Sequence, residues 1–251
     1  MAQQKGILPL RGTIGNITFY KSKDGYLARE KGGIDAARIA TDPAFQRTRE
    51  NGAEFGRAGK AGKVLRNAVR GLLQNASDSK MVGRLTREMM KVIQADATNP
   101  RGLRNVIDGE AELLLDFDFN IGGKLTATLY APFTSTINRV TGVLSADIPS
   151  FVPANMLAAP TGATHYRIHS AGVEIDFEQN NYVVETGLGA ALPLDTEASQ
   201  PTVLTHQLPA NSTHPLFLLL GLDFLQEVNG TMYPLKNGSF NALSIVNISG
   251  T

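Results

Sequence analysis

The sequence predicts an α+β fold: an N-terminal β-strand or hairpin and an αα-hairpin, followed by an antiparallel, jelly-roll-like β-sandwich. Three observations predict it. Apolar residues recur at helical spacing between Thr41 and Pro100, then switch to short alternating or apolar runs beyond Gly109. Those later runs are punctuated by the turn pairs Gly122-Gly123, Asn180-Asn181, Asn229-Gly230 and Asn237-Gly238. Charge divides at the same place. Residues 1–104 hold 20 Lys+Arg and 9 Asp+Glu, and residues 105–251 hold 4 and 14, so a net charge of +1 conceals +11 against −10. Two domains follow from this: a basic N-terminal extension over 1–104 and an acidic β-sandwich over 105–251.

The N-terminal strand comes first. Ile14, Asn16, Thr18 and Tyr20 alternate with Thr13, Gly15, Ile17 and Phe19, a period of two rich in β-branched and aromatic residues. Lys21 to Gly25 supplies a turn through Asp24-Gly25, and Tyr26 to Arg29 returns as a second strand. An isolated hairpin is marginal in water and needs a sheet to join. Fourteen extended residues, Ile7 to Tyr20, would reach about 46 Å.

Thr41-Asp42-Pro43 then opens a helix, with a capping side chain before a proline at the first helical position. Phe45, Phe55, Ala58, Leu65, Ala68, Val69 and Leu72 mark its apolar face, and Arg47, Arg49, Arg57, Lys60, Lys63, Arg66 and Arg70 its basic one. Gly52, Gly56, Gly59 and Gly62 each cost roughly 1 kcal/mol in a helix interior. They imply either close approach by another element or an interruption. Ser77-Asp78 restarts a helix whose face is Met81, Val82, Leu85, Met89, Val92 and Ile93, and Asn99-Pro100 ends it.

The strands expected after Gly109 are Glu112–Phe119, Lys124–Ala131, Val140–Ala146, Ala163–Phe177, Tyr182–Glu185, Thr202–Gln207, Leu216–Val228 and Phe240–Ile248. Many short strands between such turns mean a sandwich.

Chemistry-bearing patterns are few. There is no cysteine, which excludes disulfides, thiolate nucleophiles and zinc–thiolate sites. His165 and His169 lie on a strand, where they stand roughly 13 Å apart, too far to share a metal ion. Asp116, Asp118 and Asn120 begin like a calcium loop, but Ile121 and Ala127 occupy the positions where such a loop needs Gly and Glu. Glu174, Asp176 and Glu178 alternate in the same manner. No phosphate loop, nucleophile elbow or zinc-protease helix occurs. The expectation is a protein that is not an enzyme and carries no cofactor or metal. The N-terminus lacks an apolar signal region, and the longest apolar run, Pro215 to Leu222, falls short of the ~20 residues a membrane span needs. Six Asn-x-Ser/Thr sequons begin at Asn16, Asn75, Asn211, Asn229, Asn237 and Asn247. The last four fall within the final 41 residues and are candidate glycan sites.

Lys5-Gly-Ile-Leu-Pro-Leu-Arg-Gly-Thr-Ile-Gly15, the stretch Phe19-Tyr-Lys-Ser-Lys-Asp-Gly-Tyr-Leu-Ala-Arg-Glu-Lys-Gly-Gly33, Asp42-Pro-Ala-Phe45 and Arg49-Glu-Asn-Gly-Ala-Glu-Phe-Gly56 resemble an uncharacterised protein family common in Bacteroidota genomes. The likeness covers about residues 5–70. The architecture is also similar to that of glycan-coated filament subunits whose jelly-roll domains are linked by strand exchange. That resemblance implies an extracellular or cell-surface filament, although the sequence departs from secreted pilins in lacking a signal or lipobox; from the residues alone the cytoplasm is the default.

The expectation is therefore a homopolymer subunit, with Ile7, Leu8, Leu10, Ile14, Ile17 and Phe19 as interface residues donated to the sheet of a neighbouring copy. The charge split fits a basic front meeting an acidic back. Two other readings stand beside it: a nucleic-acid-binding component using the basic helix over 44–73, and a carbohydrate-binding sandwich.

Overall fold

A computed structural model describes residues 2–6, 8–30 and 33–250, with the backbone alone for Lys236 and Asn237. The chain divides into two compact units, Met1–Arg49 and Glu50–Thr251.

In the first unit, β1 (Ala2–Gln3), β2 (Gly12–Ile14), β3 (Ile17–Ser22) and β4 (Gly25–Glu30) form an antiparallel sheet in the order β1-β4-β3-β2. The single strand expected over 7–20 is instead a hairpin. Gly15 takes φ +54°, which reverses the chain between Ile14 and Ile17, and these two residues pair across the turn. The alternation of residues 13–20 was read correctly as β but is shared by two strands. Helix α1 (Ala36–Thr41) follows, with Asp35 accepting a cap hydrogen bond from the Ala37 N–H. Asp42 caps the 3-10 turn Pro43–Phe45 in the same way.

In the second unit, α2 (Gln46–Ala68), α3 (Arg70–Leu73) and α4 (Met81–Gln94) precede α5 (Leu125–Thr128), β5 (Thr134–Asn138), β6 (Val143–Ile148), α6 (Pro153–Met156), β7 (His165–Asp176), β8 (Asn181–Leu188), β9 (Leu192–Pro193), β10 (Thr202–Gln207), β11 (Leu216–Val228), β12 (Thr231–Pro234) and β13 (Ala242–Ser249). One sheet runs β10-β6-β5. The larger sheet centres on β11 and β7, with β12 and β13 along the outer side of β11 and β8 and β9 along the outer side of β7. All pairings are antiparallel, which makes an α+β fold with a β-sandwich.

Alternation along β11 explains its unbroken apolar run. Leu216, Leu218, Leu220 and Leu222 pack into a core with Leu144, Ala146 and Ile148 of β6, between the two sheets. Phe217 and Leu219 point the other way and join Ala171, Val173 and Ile175 of β7 in a core with the helices. The central sheet is thus buried on both faces, by helices on one and by the small sheet on the other. Ala58, Leu65, Leu85, Met89 and Ile93 supply the helical side of that core. The helices therefore belong to the same compact unit as the sandwich, and the break in hydrophobic period near Gly109 separates layers of one unit.

Helix α2 is continuous through its glycines. At Gly62 a Cβ would stand 3.5 Å from Leu85, an ordinary packing contact, and at Gly52, Gly56 and Gly59 nothing lies within 4 Å, so none of the four marks a backbone approach that excludes a side chain. Phe55 and Val82, expected on apolar faces, are exposed. Two expected strands are absent. Within Glu112–Phe119 the chain forms the 3-10 turn Ala111–Leu114, and only Asp118 bridges to Ser244; Lys124–Ala131 contains the single helical turn α5. Strands β5, β9 and β12 were not expected.

Candidate self-association surface

The hairpin turn gathers side chains that a single strand would have separated. Register places Ile14 opposite Ile17, which lies opposite Glu30, while Phe19 lies between Gly12 and Ala28, and Ala28 pairs with Ala2. Partners in register share a face of the sheet, as do residues two apart. Ile14, Ile17, Phe19, Ala28 and Ala2 consequently occupy one face. A cavity of about 910 Å³ opens there, lined by Ala2, Ile14, Ile17, Ala28 and Glu30 among others. The opposite face carries Thr13, Thr18, Tyr20 and Arg29.

The connection from β1 to β2 presents the remaining predicted contacts. Gln4 fixes it: its Nε2 donates to the Leu10 and Leu27 carbonyls, and its Oε1 accepts from the Leu10 N–H at 2.9 Å. Leu8 stands 82% exposed at this connection and Leu10 47%. Ile7 lies outside the described residues. Arg11 and Lys21 both sit over the Tyr26 ring, at 5.8 and 5.6 Å, and Arg29 sits over Tyr20 at 5.6 Å. These contacts leave the basic groups at the surface, stacked on rings.

No side chain of the first unit is buried among the described residues. Ile14 is 64% and Ile17 45% exposed. A sheet of this size without a core does not bury enough apolar surface to offset its ordering entropy.

Other predicted residues separate. His165 and His169 lie on one strand, with His165 near Thr164 and Glu227 and His169 near Asp223. Among the described residues no group of three His, Cys, Asp or Glu converges as a metal site. Asp118 accepts from the Leu125 N–H, and burial pushes its carboxyl above the usual range. Glu174 is buried and accepts from Ser212 Oγ at 2.7 Å, and Asp176 shapes the following turn. The basic helix spends several of its cations on its own fold: Arg57 donates to the Gly102 and Arg104 carbonyls, and Arg66 to Gly62. Asn211 and Asn229 occupy left-handed turn positions at the surface, while Asn247 Nδ2 donates to the Ser135 carbonyl and Oγ. A glycan at Asn247 would take one of the two N–H groups that make these bonds. The side chain of Asn237 lies outside the described residues.

One constellation was missed. Ser170 Oγ lies 2.6 Å from His206 Nε2, both buried between the two sheets, with Gly172 and Gly187 making room for the imidazole. Burial lowers the His206 pKa, and the Glu185 charge opposes that shift. Ser170 and His206 are 36 residues apart and belong to no local motif, so only the topology reveals them. The pair is closed to solvent and ties the sheets together.

No helix among the described residues is long and apolar enough to cross a membrane. No protein-family model matches the chain, and neither does any curated protein or solved structure.

Proposed function

We propose that the chain is a structural subunit of a homopolymer, in which the N-terminal unit of one copy is completed by contact with a neighbour. The observation that carries this reading is the coreless sheet: Ile14, Ile17 and Phe19 on one face and Leu8 and Leu10 on the adjoining connection, with nothing buried. Exposed apolar sheet surface of this kind is a liability unless a partner covers it. Charge supports a head-to-tail arrangement. Residues 1–49 hold 9 Lys+Arg and 4 Asp+Glu, and residues 50–251 hold 15 and 19, so the units carry +5 and −4. Such a contact between unlike surfaces extends into a fibre when its rotation does not close into a ring. In this reading the donated element is the hairpin with its preceding connection, in place of a fully extended strand. The likeness of the architecture to glycan-coated filament subunits agrees with it, and Asn211 and Asn229 would then be available to glycans. Negative-stain microscopy and sedimentation over a range of concentrations test the proposal. Fibres lengthening with concentration are expected, and a monomer at every concentration would refute it.

A further inference from the structure

At one end of the sandwich the chain between β9 and β10 folds over the start of β7 and encloses a cavity of about 400 Å³. Its wall is apolar, built by Pro153, Tyr166, Ala190, Leu192 and Ala198. Backbone bonds hold the cavity open in this form: Leu194 N–H donates to Thr164, Ala154 N–H to Asp195, and Ser199 N–H to Phe151. Tyr166 is fully buried, and its ring lies 5.9 Å from that of Phe151. Its Oη is sealed from solvent beside Ser199, and burial raises its pKa. Asp195 and Glu197 also line the cavity, and among the described residues no ion pair engages either carboxylate. A preformed apolar pocket with two unpaired carboxylates at its wall suits an apolar side chain followed closely by a cation.

The exposed connection of the N-terminal unit has this chemistry. Leu8-Pro9-Leu10-Arg11 belongs to no strand. Pro9 removes an N–H and holds Leu8 extended, so the segment offers carbonyls without pairing into a sheet. Leu8 projects into solvent, and Arg11 follows three residues later. We infer that the cavity is the acceptor for the Leu8–Arg11 segment of a second copy. A leucine enters the apolar pocket, and Arg11 meets Asp195 and Glu197. This inference rests on the self-association reading and names its acceptor site.

The absence of cysteine allows a direct test. Full-length Leu8→Cys and Ala198→Cys proteins, each with one exposed thiol, are mixed under mild oxidation and separated on denaturing gels. Thr136→Cys on β5, outside the cavity, serves as the control partner. The Leu8→Cys/Ala198→Cys heterodimer should exceed the control heterodimer by about tenfold or more, and an Asp195→Asn/Glu197→Gln protein should assemble about tenfold less readily with weaker salt dependence. If the proteins polymerise but the two pairs crosslink equally, the acceptor assignment fails and self-association stands. If no association occurs at any concentration, the parent reading fails as well. A crosslink confined to single chains of a doubly substituted protein at high dilution would give the cavity to the chain's own segment and overturn the inference.

Discussion

Gly221 and His169 face each other across β11 and β7, and the imidazole fills the space a side chain at 221 would need. A Cβ there would overlap Nε2 and lie 2.7 Å from both Cδ2 and Cε1. The ring is buried and cannot swing into solvent. Gly221→Ala should therefore destabilise the protein by about 2 kcal/mol through overpacking, and more if the ring is forced off its rotamer. Thermal unfolding of the variant against wild type measures this directly. An unchanged midpoint would mean that β11 and β7 can separate locally without cost.

The same histidine makes a pH prediction. Burial lowers His169 to about 4, and the nearby Arg167 charge adds to the shift; burial raises Asp223 to about 6 against the opposing pull of Arg167. His169 Nδ1 and Asp223 Oδ2 are 3.6 Å apart. A histidine with a depressed folded value loses stability as pH falls from its unfolded value, about 6.5, towards 4. An aspartate with a raised folded value loses stability as pH rises from its unfolded value, about 3.9, towards 6. The two slopes oppose each other between about pH 4 and 6 in wild type. Asp223→Asn removes the second, so its stability should fall more steeply than wild type as pH drops from 6.5 to 4. Denaturant midpoints across that window decide it, and parallel curves would refute the coupling.

Glu54 is 1% exposed on α2 and accepts from Arg104 at 2.8 and 2.9 Å and from the Gly102 N–H at 2.8 Å. Arg104 holds the Glu54 carboxyl below the usual range. Breaking such a pair from one side leaves a poorly solvated charge, a loss of about 3–5 kcal/mol when burial is complete. Arg104 is a fifth exposed. Glu54→Gln should therefore cost less, about 2 kcal/mol, with Arg104→Met in the same chain recovering part of the loss. Measured beside Arg104→Met alone, a double variant whose loss equals the sum of the two single losses would show that the two side chains are not energetically coupled.

Legibility in the sequence followed the locality of each cause. Leu216–Val228 and Thr202–Gln207 were placed at their observed limits because composition and flanking turns agree there. Met81, Leu85, Met89, Val92 and Ile93 were recognisable as a buried helix face from spacing alone. The segments around Phe117 and Leu125 differ from the expectation because apolar alternation also suits irregular chain packed on a sheet: Phe117 and Phe119 are buried, and Asp116, Phe117 and Phe119 hydrogen-bond to β13 about a single bridge at Asp118 without extending into a strand. Non-local geometry left no trace in the sequence. The Ser170–His206 pair, the pocket at Tyr166 and the Gly221 notch each depend on a register that topology alone fixes. For the N-terminal segment, residue types suggested an interface, but the reversal at Gly15 was hidden inside a regular period of two.

That reversal sharpens the prediction for assembly. Ile14 and Ile17 pair on one sheet face and neither is buried, so replacing them removes little buried contact within the chain. Ile14→Asp and Ile17→Asp should each leave the unfolding midpoint within about 0.5 kcal/mol of wild type. If the face is covered in the polymer, each isoleucine contributes roughly 1.5–3 kcal/mol on burial, and a carboxylate there adds a desolvation cost. The concentration needed for assembly should then rise at least tenfold for each single variant and beyond the accessible range for the pair. Ile34→Asp, at a third exposed isoleucine of the same unit, serves as the control for charge alone. Sedimentation of all four proteins at matched ionic strength separates the outcomes. Loss of assembly in the Ile14 and Ile17 variants with retention in the Ile34 variant assigns the sheet face to the contact. Equal assembly in every variant would remove that face from the interface.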